Sequence, residues 1–454
     1  MSPEIRMVAG LIVGIVFLIL VVLKTRVHAF LAMIAAAAII GLVGGMPLAD
    51  IPGAITGGFG STLGSIGIVI GFGVMMGQLM ERSGAAERMA LTFIKLFGKK
   101  REHWAMAVTG FIASIPIFCD SAFVVLQPIA KAISKKTGRS IVAISTSLAA
   151  GLVVTHSLVP PTPGPLGVAG TFGVDVGIYI LISLAFAILP TVAAVLYAQW
   201  YAKKLYQIPA DDGEGWIRPE EEIPYSEMVL EESKELPSAF KAFLPILLPI
   251  ALILLNNLAG LLGATGAFKD IVTFLGTPII AVGFGLLVAI YVLCGKLDKK
   301  EVLDEMNKGI RSAGLIILVT GAGGALGNVL KVSGTGNFIA QQIAQTNIPL
   351  FLLPFVVSTL VRFVQGSGTV AMTTAAGICA PIIQAAGGNL ILGVLAACTG
   401  SLFFGYFNDS YFWVVNNMMG ISETKEQIRN WSITSTIAWG VAFIELLVLG
   451  IFIK

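Results

Sequence analysis

Apolar runs of 18 or more residues recur along the whole 454-residue chain and constrain its fold more than any other feature. A run of this length can cross a bilayer as a helix. Hydrophobic residues make up 56% of the chain and charged residues only 12%, whereas soluble domains carry about 25% charged residues. The pattern therefore predicts an all-α, polytopic membrane protein whose partners include membrane lipid and no nucleic acid.

The positions of Lys and Arg predict the topology, because loops on the cytoplasmic side of a membrane are rich in these residues. The segments that we place on the cytoplasmic side for this reason are 24–26, 95–101, 203–204 and 295–311. Spans of about 20 apolar residues fit between them. The result is about ten transmembrane helices in a bacterial inner membrane, with both termini on the periplasmic side.

Two apolar segments have arms that are too short for full crossings, and each predicts a re-entrant helical hairpin. Residues 104–134 have basic flanks on both sides, so this first hairpin enters from the cytoplasm with its tip near IFCDSA (117–122). The second hairpin, at about 348–385, has no basic residue on its outer flanks and enters from outside, with its tip at QGSGT (365–369). Non-helical backbone at this depth is tolerated only inside protein or beside a water-filled cavity.

Two full crossings are also interrupted. HSLVPPTPGP (156–165) places four prolines within six residues, which no regular helix accommodates, and FNDS (407–410) interrupts the corresponding crossing of the second half. The halves share glycine and serine positions, since the segment that starts at Gly71 aligns with the one that starts at Gly321. Related halves of opposite orientation with broken helices are typical of secondary transporters.

These features divide the chain into units with different predicted roles. The units are N-terminal helices (1–54), a first inverted repeat (55–203), a cytoplasmic connector (204–238), scaffold helices (239–300), a second inverted repeat (301–430) and a C-terminal helix (431–454). The first apolar run ends at the basic sequence KTR with no small-residue cleavage site before it, so we expect it to remain as a span.

Cysteine usage and motif spacing predict no disulfide, metal or cofactor. All four cysteines lie in or at the edge of apolar segments and show no paired framework. They are Cys119, Cys294, Cys379 and Cys398. No metal-ligand spacing, nucleophile triad or phosphate-binding loop is visible in the sequence.

Ionisable residues at the predicted helix breaks are the candidates for proton coupling. Asp120 lies at the first hairpin tip next to Ser121, and Asp409 lies at the second broken crossing next to Asn408. A charged group within a bilayer is costly and is usually functional, although an Asp at a helix start also serves as a cap. His156 precedes the proline run, and its unperturbed pKa near 6.5 suits a proton carrier, while a structural donor role stays open.

The second hairpin supplies candidates for anion binding. Arg362 lies three residues before its tip, where a guanidinium could clamp a carboxylate through two parallel hydrogen bonds. A structural ion pair with Asp120 or Asp409 is the alternative. Residues Ser367, Gly368 and Thr369 offer hydroxyls and bare backbone at the start of the returning helix, where the helix dipole favours an anion.

Four motifs resemble those of the gluconate permease family (GntP), and they cover nearly the whole chain. They are FCDSAFVVL (118–126), THSLVPPTPGP (155–165), VRFVQGSGTVA (361–371) and FGYFNDSYFWVV (404–415). The resemblance implies proton symport of gluconate or a related hydroxy acid, and a homodimer with an elevator-type transport domain built from both hairpins. It also implies a substrate cradle at the hairpin tips, formed by Asp120, Ser121, Ser367, Gly368 and Thr369, with His156 and Asn408 beside it. This chain has GSGT where the family has GSAT, and the family also includes D-serine carriers.

The leading prediction is therefore proton-coupled uptake of a small anionic sugar acid such as gluconate. Sodium-coupled uptake of a carboxylate and carriage of D-serine are alternatives with the same fold. An intramembrane enzyme would need a catalytic pair, for which Asp120 and Asp409 are the candidates, and a channel is a further possibility. Broken, repeated helices favour a transporter with alternating access over both an enzyme and a channel.

Overall fold

Helices make up almost all of the fold in the computed structural model, which describes residues 3–98, 100–210, 215–225, 236–261, 265–335, 338, 349–406 and 409–452. The helices of the first half are α1 (Pro3–Lys24), α2 (Ala29–Gly44), α3 (Asp50–Arg82), α4 (Ala85–Phe97), α5 (Glu102–Ala113), α6 (Cys119–Thr137), α7 (Ile141–Leu158), α8 (Pro163–Phe172), α9 (Val176–Phe186) and α10 (Ile188–Ala202). This confirms the predicted all-α class.

The connector contains two short antiparallel strands, β1 (Ile208–Pro209) and β2 (Trp216–Ile217). The helices of the second half are α11 (Ala239–Leu261), α12 (Gly266–Gly276), α13 (Pro278–Val288), α14 (Lys299–Val332), α15 (Leu352–Gln365), α16 (Gly368–Ala385), α17 (Leu390–Gly400), α18 (Ser410–Met418), α19 (Thr424–Gln427) and α20 (Ile433–Phe452). A π-helical segment follows α13 at Ala289–Leu293, and another joins α19 to α20 at Ile428–Ser432.

The length and composition of these helices agree with a chain that crosses a membrane several times. Within the described ranges, five helical segments are long and apolar enough to span a bilayer, or seven if each of two bent helix pairs is one span. Shorter apolar helices such as Leu352–Phe363 and Leu390–Gly400 accompany them. The number of ten crossings and the orientation of the termini stay predictions.

Two long helices, α3 and α14, pack along each other and carry the matching segments of the two predicted repeats. Their backbones approach closely where Gly58 meets Gly324, and Asn328 Nδ2 donates to the carbonyl of Ala54 at 2.8 Å. Both helices are longer than the expected span of about 20 residues, and α14 begins at Lys299, inside the segment 295–311 that is predicted to be cytoplasmic. The early start of α14 has a local cause, because Asp298 forms a capping box that stabilises its first turn in the polar segment.

The two predicted hairpins correspond to the helix pairs α5–α6 and α15–α16. The first pair is separated by residues 114–118 and the second by Gly366 and Ser367. Gly366 has a φ of 87°, a left-handed conformation that glycine adopts without steric cost and that ends α15. The helical arms are therefore observed, while their entry from one face of a membrane stays a prediction.

Both predicted interruptions of full crossings are present. Helix α7 ends at Leu158 and α8 starts at Pro163, a proline in the first turn where no backbone N–H is needed. In the second half α17 ends at Gly400 and the next helix starts at Ser410. This second break begins before the predicted FNDS sequence, since Ser401 already lies outside the helix. The two breaks and the two hairpin tips converge on one region of the molecule.

Candidate functional site

A cavity of about 280 Å³ lies where the hairpin tips and the helix breaks meet. The residues of the sequence prediction that line it are Asp120, His156, Arg362, Ser367, Gly368, Thr369 and Asp409. Asn408 and the side chain of Ser121 lie outside the described residues. The sequence-predicted candidates from four separate segments are thus brought together at one site, although their binding roles stay predictions.

Arg362 and Asp409 form a buried ion pair on the wall of this cavity. Arg362 Nη2 lies 2.5 Å from Asp409 Oδ2, and the two side chains are only 7% and 9% exposed. Arg362 Nη1 also donates to the carbonyl of Gly366 at the hairpin tip. The structural ion pair left open by the sequence is therefore present, and its partner is Asp409 rather than Asp120. The Nε atom of Arg362 is buried and has no acceptor among the described residues.

Asp409 also stabilises the helix that follows it. Its Oδ1 atom accepts from the backbone N–H of Tyr411 at 3.1 Å and caps the start of α18. One carboxylate thus neutralises Arg362, holds the second hairpin tip through that arginine and fixes the helix after the broken crossing.

Asp120 also lines the cavity, and its environment differs from that of Asp409. Its carboxylate accepts from the hydroxyl of Ser410 at 3.3 Å and from the thiol of Cys119 at 3.5 Å. Its charge is not matched by a Lys, Arg or His within 4.0 Å in the part of the chain that the structure describes. Asp120 is therefore the carboxylate of the site that lacks a countercharge.

His156 lies in the last turn of α7, where the proline run ends the helix. Its ring lies against that of Phe118, with the ring centroids 5.8 Å apart. The Nδ1 atom is buried and has no hydrogen-bond partner among the described residues. An unsatisfied ring nitrogen beside the cavity can bind a proton or a ligand hydroxyl.

Three helices begin at the cavity, so their N-terminal ends lie at its wall. They are α6, α16 and α18, whose first residues Cys119, Gly368 and Ser410 all line the wall. The cap of α16 is Ser367, whose Oγ accepts from the N–H of Val370 at 3.3 Å. Helix N-termini carry partial positive charge, so the cavity favours an anionic group without a second cation.

Trp431 is the main lining residue that the sequence analysis missed. It lies in the π-helical segment before α20, it is fully buried, and its indole Nε1–H has no acceptor among the described residues. Its ring packs edge to face on Tyr411, with the ring centroids 5.0 Å apart. Hydroxyls of Ser401 and Ser435 also reach the wall. The detectable signal is the polar stretch at the start of α20, with Thr434, Ser435 and Thr436, in a helix that the sequence analysis assigns to a separate C-terminal unit.

Gly405 lies directly against the ion pair, where an added side chain would force its neighbours to shift. A Cβ atom on Gly405 would lie 2.7 Å from Asp409 Oδ2 and 3.0 Å from both Arg362 Nη2 and Trp431 Nε1. Two hydrogen bonds hold the backbone of Gly405 in place. Its N–H donates to Ser435 Oγ at 3.1 Å, and its carbonyl accepts from Ser432 Oγ at 2.6 Å.

We expect Gly405→Ala to lower the free energy of unfolding by about 1–3 kcal/mol, because the added methyl group overpacks the site and pushes the ion pair apart. Substrate affinity should fall with it. Thermal unfolding and calorimetry of the detergent-purified protein measure the two effects. The matched control is Gly440→Ala in α20, where a Cβ meets no atom within 4 Å. Equal stability and affinity in the two variants would contradict this account of Gly405.

Comparison with known families identifies the chain. The sequence model described as "GntP family permease" matches residues 6–452, which is almost the full length. The chain belongs to the GntP permease family. This confirms the resemblance carried by the four motifs, and it points to a multi-pass membrane transporter rather than an enzyme.

Relatives of this GntP permease share its whole length. An "Uncharacterized permease" of Haemophilus influenzae is 52% identical over 97% of this chain and 91% of that protein. A "Gluconate permease" of Pseudomonas aeruginosa is 35% identical over 99% of both chains. A "Gnt-II system L-idonate transporter" of Escherichia coli is 30% identical over 93% of this chain and 94% of that protein. Gluconate and L-idonate are both small sugar acids.

The fold is similar to that of a solved transporter. The YdaH transporter of Alcanivorax borkumensis superposes with a TM-score of 0.65 at 16% sequence identity, and the match covers 98% of this chain and 99% of that chain. At this identity the likeness concerns the fold alone. It supports a helical, polytopic membrane-transporter fold for the GntP permease.

Proposed function

We propose that this GntP permease is a secondary active transporter that takes up gluconate or a closely related sugar acid together with a proton across the bacterial inner membrane. Relatives named for gluconate and L-idonate support the substrate class. The net charge of the cavity lining is the observation that supports coupling to protons.

The size and lining of the cavity suit a small polyhydroxy acid. Its volume of about 280 Å³ lies just below the range for small-molecule sites, about 300–1,000 Å³, which suits a small ligand. Serine and threonine hydroxyls can both donate to and accept from the hydroxyls of a sugar acid. The residues that offer such groups on the described wall are Ser157, Ser367, Thr369, Ser401, Ser410 and Ser435. The helix N-termini and the free Nε of Arg362 are the donors for its carboxylate.

The charges of the lining require neutralisation when an anion enters. Arg362 is already paired with Asp409, so an ionised Asp120 leaves the described lining with one net negative charge. A sugar-acid carboxylate would meet a like charge in a medium of low dielectric constant, which is strongly unfavourable. A proton on Asp120 removes that repulsion and converts an acceptor into a hydrogen-bond donor. Anion and proton are thereby expected to bind together.

Sodium coupling is the second candidate, because Asp120 and the hydroxyl of Ser410 provide oxygen atoms that a hard cation could also bind. Either ion would neutralise Asp120. In both cases we propose that the two hairpins move together as an elevator-type transport domain within a homodimer. The shared cavity, whose wall combines both hairpin tips with both helix breaks, supports this movement as one unit.

Uptake of radiolabelled gluconate into proteoliposomes tests the proposal. One proton per monoanion makes transport electroneutral, so an inward-directed gradient of two pH units should drive about a hundredfold accumulation, tenfold for each unit. A membrane potential alone should drive none. The assay is run in choline buffer and repeated in sodium, with L-idonate and D-serine as competitors. Accumulation that needs sodium and ignores the pH gradient would overturn proton coupling, and competition by D-serine alone would overturn the substrate class.

A further inference from the structure

A second cavity, of about 250 Å³, lies away from the transport site and shares no lining residue with it. It forms where the base of the first hairpin meets the end of α10 and the connector. The sequence places this side of the molecule in the cytoplasm. Basic side chains from three separate segments line it, namely Lys100 before α5, Arg139 after α6 and Lys203 after α10.

The basic groups at this second cavity are held by the backbone and by an aromatic ring. Arg139 Nη2 donates to the carbonyl of Lys100 at 3.2 Å. The ring of Tyr225 lies under both cations, 5.6 Å from Lys100 Nζ and 5.9 Å from Arg139 Cζ. Lys100 itself has a φ of 63°, and its N–H donates to Glu102 Oε1 at 3.1 Å. The local fold therefore brings these positive charges together against their mutual repulsion.

Basic side chains outnumber acidic ones in the described lining of the second cavity. One carboxylate, that of Glu222, is in the lining. Within the described chain, Lys100, Arg139 and Lys203 form no ion pair with any carboxylate at 4.0 Å or less. Glu102 accepts a hydrogen bond from Tyr225 Oη at 2.8 Å, and its carboxylate is not part of the cavity lining. A single exposed cation needs no ion pair, because water solvates it. Several cations on one concave surface, however, create a positive potential that attracts anions.

A buried amide adds an independent observation. Gln199 lies in α10 one turn before Lys203, and it lines the same cavity. Its Nε2 atom is buried and has no acceptor among the described residues. A buried amide donor of this kind costs free energy unless an acceptor binds to it. The oxygen atoms of an anion in the cavity would supply that acceptor.

We infer that this second cavity binds a phosphate-bearing anion, held by Arg139, Lys203 and Lys100 and by the amide of Gln199. A phosphate group offers several strong acceptor oxygens, and a guanidinium pairs with it in a bidentate geometry. The same chemistry occurs in the headgroup of an anionic phospholipid and in a soluble phosphate. Bound there, the anion ties the connector to the first hairpin and to α10. This site goes beyond the proposed transport function and does not depend on it.

Thermal unfolding of the full-length purified protein tests the site. Inorganic phosphate is compared with chloride at equal ionic strength in detergent, and nanodiscs of phosphatidylglycerol are compared with nanodiscs of phosphatidylcholine. For the wild type we expect Tm to rise by about 2–4 °C when the site is mostly filled. The rise should be at least halved in Lys203→Gln and in Gln199→Leu. Lys296→Gln, an exposed basic residue outside the cavity, is the matched control and should keep it.

The two substitutions also separate binding from general salt effects, because phosphate stabilises many proteins by exclusion from their surface. Gln199→Leu removes a buried donor without an acceptor, so its Tm in chloride should be no lower than that of the wild type. A rise with inorganic phosphate assigns the site to soluble anions as well, whereas a rise with phosphatidylglycerol alone assigns it to a lipid headgroup, and both support the site. No rise with either probe, or an undiminished rise in both cavity variants, would overturn it.

Discussion

Arg362→Ala is expected to lower the free energy of unfolding by about 3–5 kcal/mol and to abolish gluconate binding. The substitution leaves the carboxylate of Asp409 buried without its cation. Removing one partner of a buried ion pair is strongly destabilising, because the other charge stays buried and unpaired. It also removes the donor to the Gly366 carbonyl, which holds the second hairpin tip. Arg362→Lys keeps the charge but loses the planar fork, so we expect gluconate affinity to weaken by about 1–3 kcal/mol. Thermal unfolding and calorimetry in detergent measure both quantities.

A double variant separates the structural role of Arg362 from a direct role in binding. Arg362→Met combined with Asp409→Asn removes both charges, and asparagine can still cap α18. Replacing a whole buried ion pair is often neutral for stability, so the double variant should regain most of the stability that Arg362→Ala loses. The remaining loss is that of the donor to the Gly366 carbonyl. Gluconate binding should nevertheless remain absent, because the free Nε donor is gone. Near-native affinity in the folded double variant would show that Arg362 is structural and that the helix termini hold the carboxylate.

The positions of the hairpin tips and helix breaks could be predicted from the sequence because the bilayer penalises their residues so strongly. Four prolines at 160–165 cannot form a regular helix. A carboxylate such as Asp120 is costly within a membrane unless it has a partner or lies beside a cavity. Because these penalties depend on the local sequence, the breaks can be predicted without knowing which segments pack together. In the structure these segments line one cavity.

Pairings between distant segments could not be predicted in the same way. The sequence left Arg362 with two possible carboxylate partners, and only the three-dimensional packing selects Asp409 over Asp120. The position of Trp431 at the cavity could not be predicted, because an apolar segment has the same sequence pattern whether it faces lipid or closes a cavity. The need for glycine at Gly405 was not visible either, since it arises partly from side chains of two distant segments, those of Arg362 and Trp431.

The choice between Asp120 and Asp409 decides where the proton binds. Asp409 already has a cation partner, and protonating it would strand Arg362 as a buried charge. The described side-chain hydrogen-bond partners of Asp120 are the hydroxyl of Ser410 and the thiol of Cys119, and both can also accept a hydrogen bond from a protonated carboxyl. The proton is therefore expected on Asp120, where its release after the substrate leaves restores a charge that solvent can reach.

Asp120→Asn is accordingly expected to eliminate concentrative uptake while leaving exchange intact. Asparagine has the shape of a protonated aspartate and never releases its proton, so gluconate should still bind and exchange. Accumulation driven by two pH units should fall from about a hundredfold to about onefold, and gluconate affinity should lose its dependence on pH. Uptake and counterflow in proteoliposomes measure the two activities, with Asp175→Asn, an exposed helix cap outside the cavity, as the matched control. Normal accumulation by Asp120→Asn would place the proton on another group of the wall, and His156→Gln and Asp409→Asn in the same assay would then identify it.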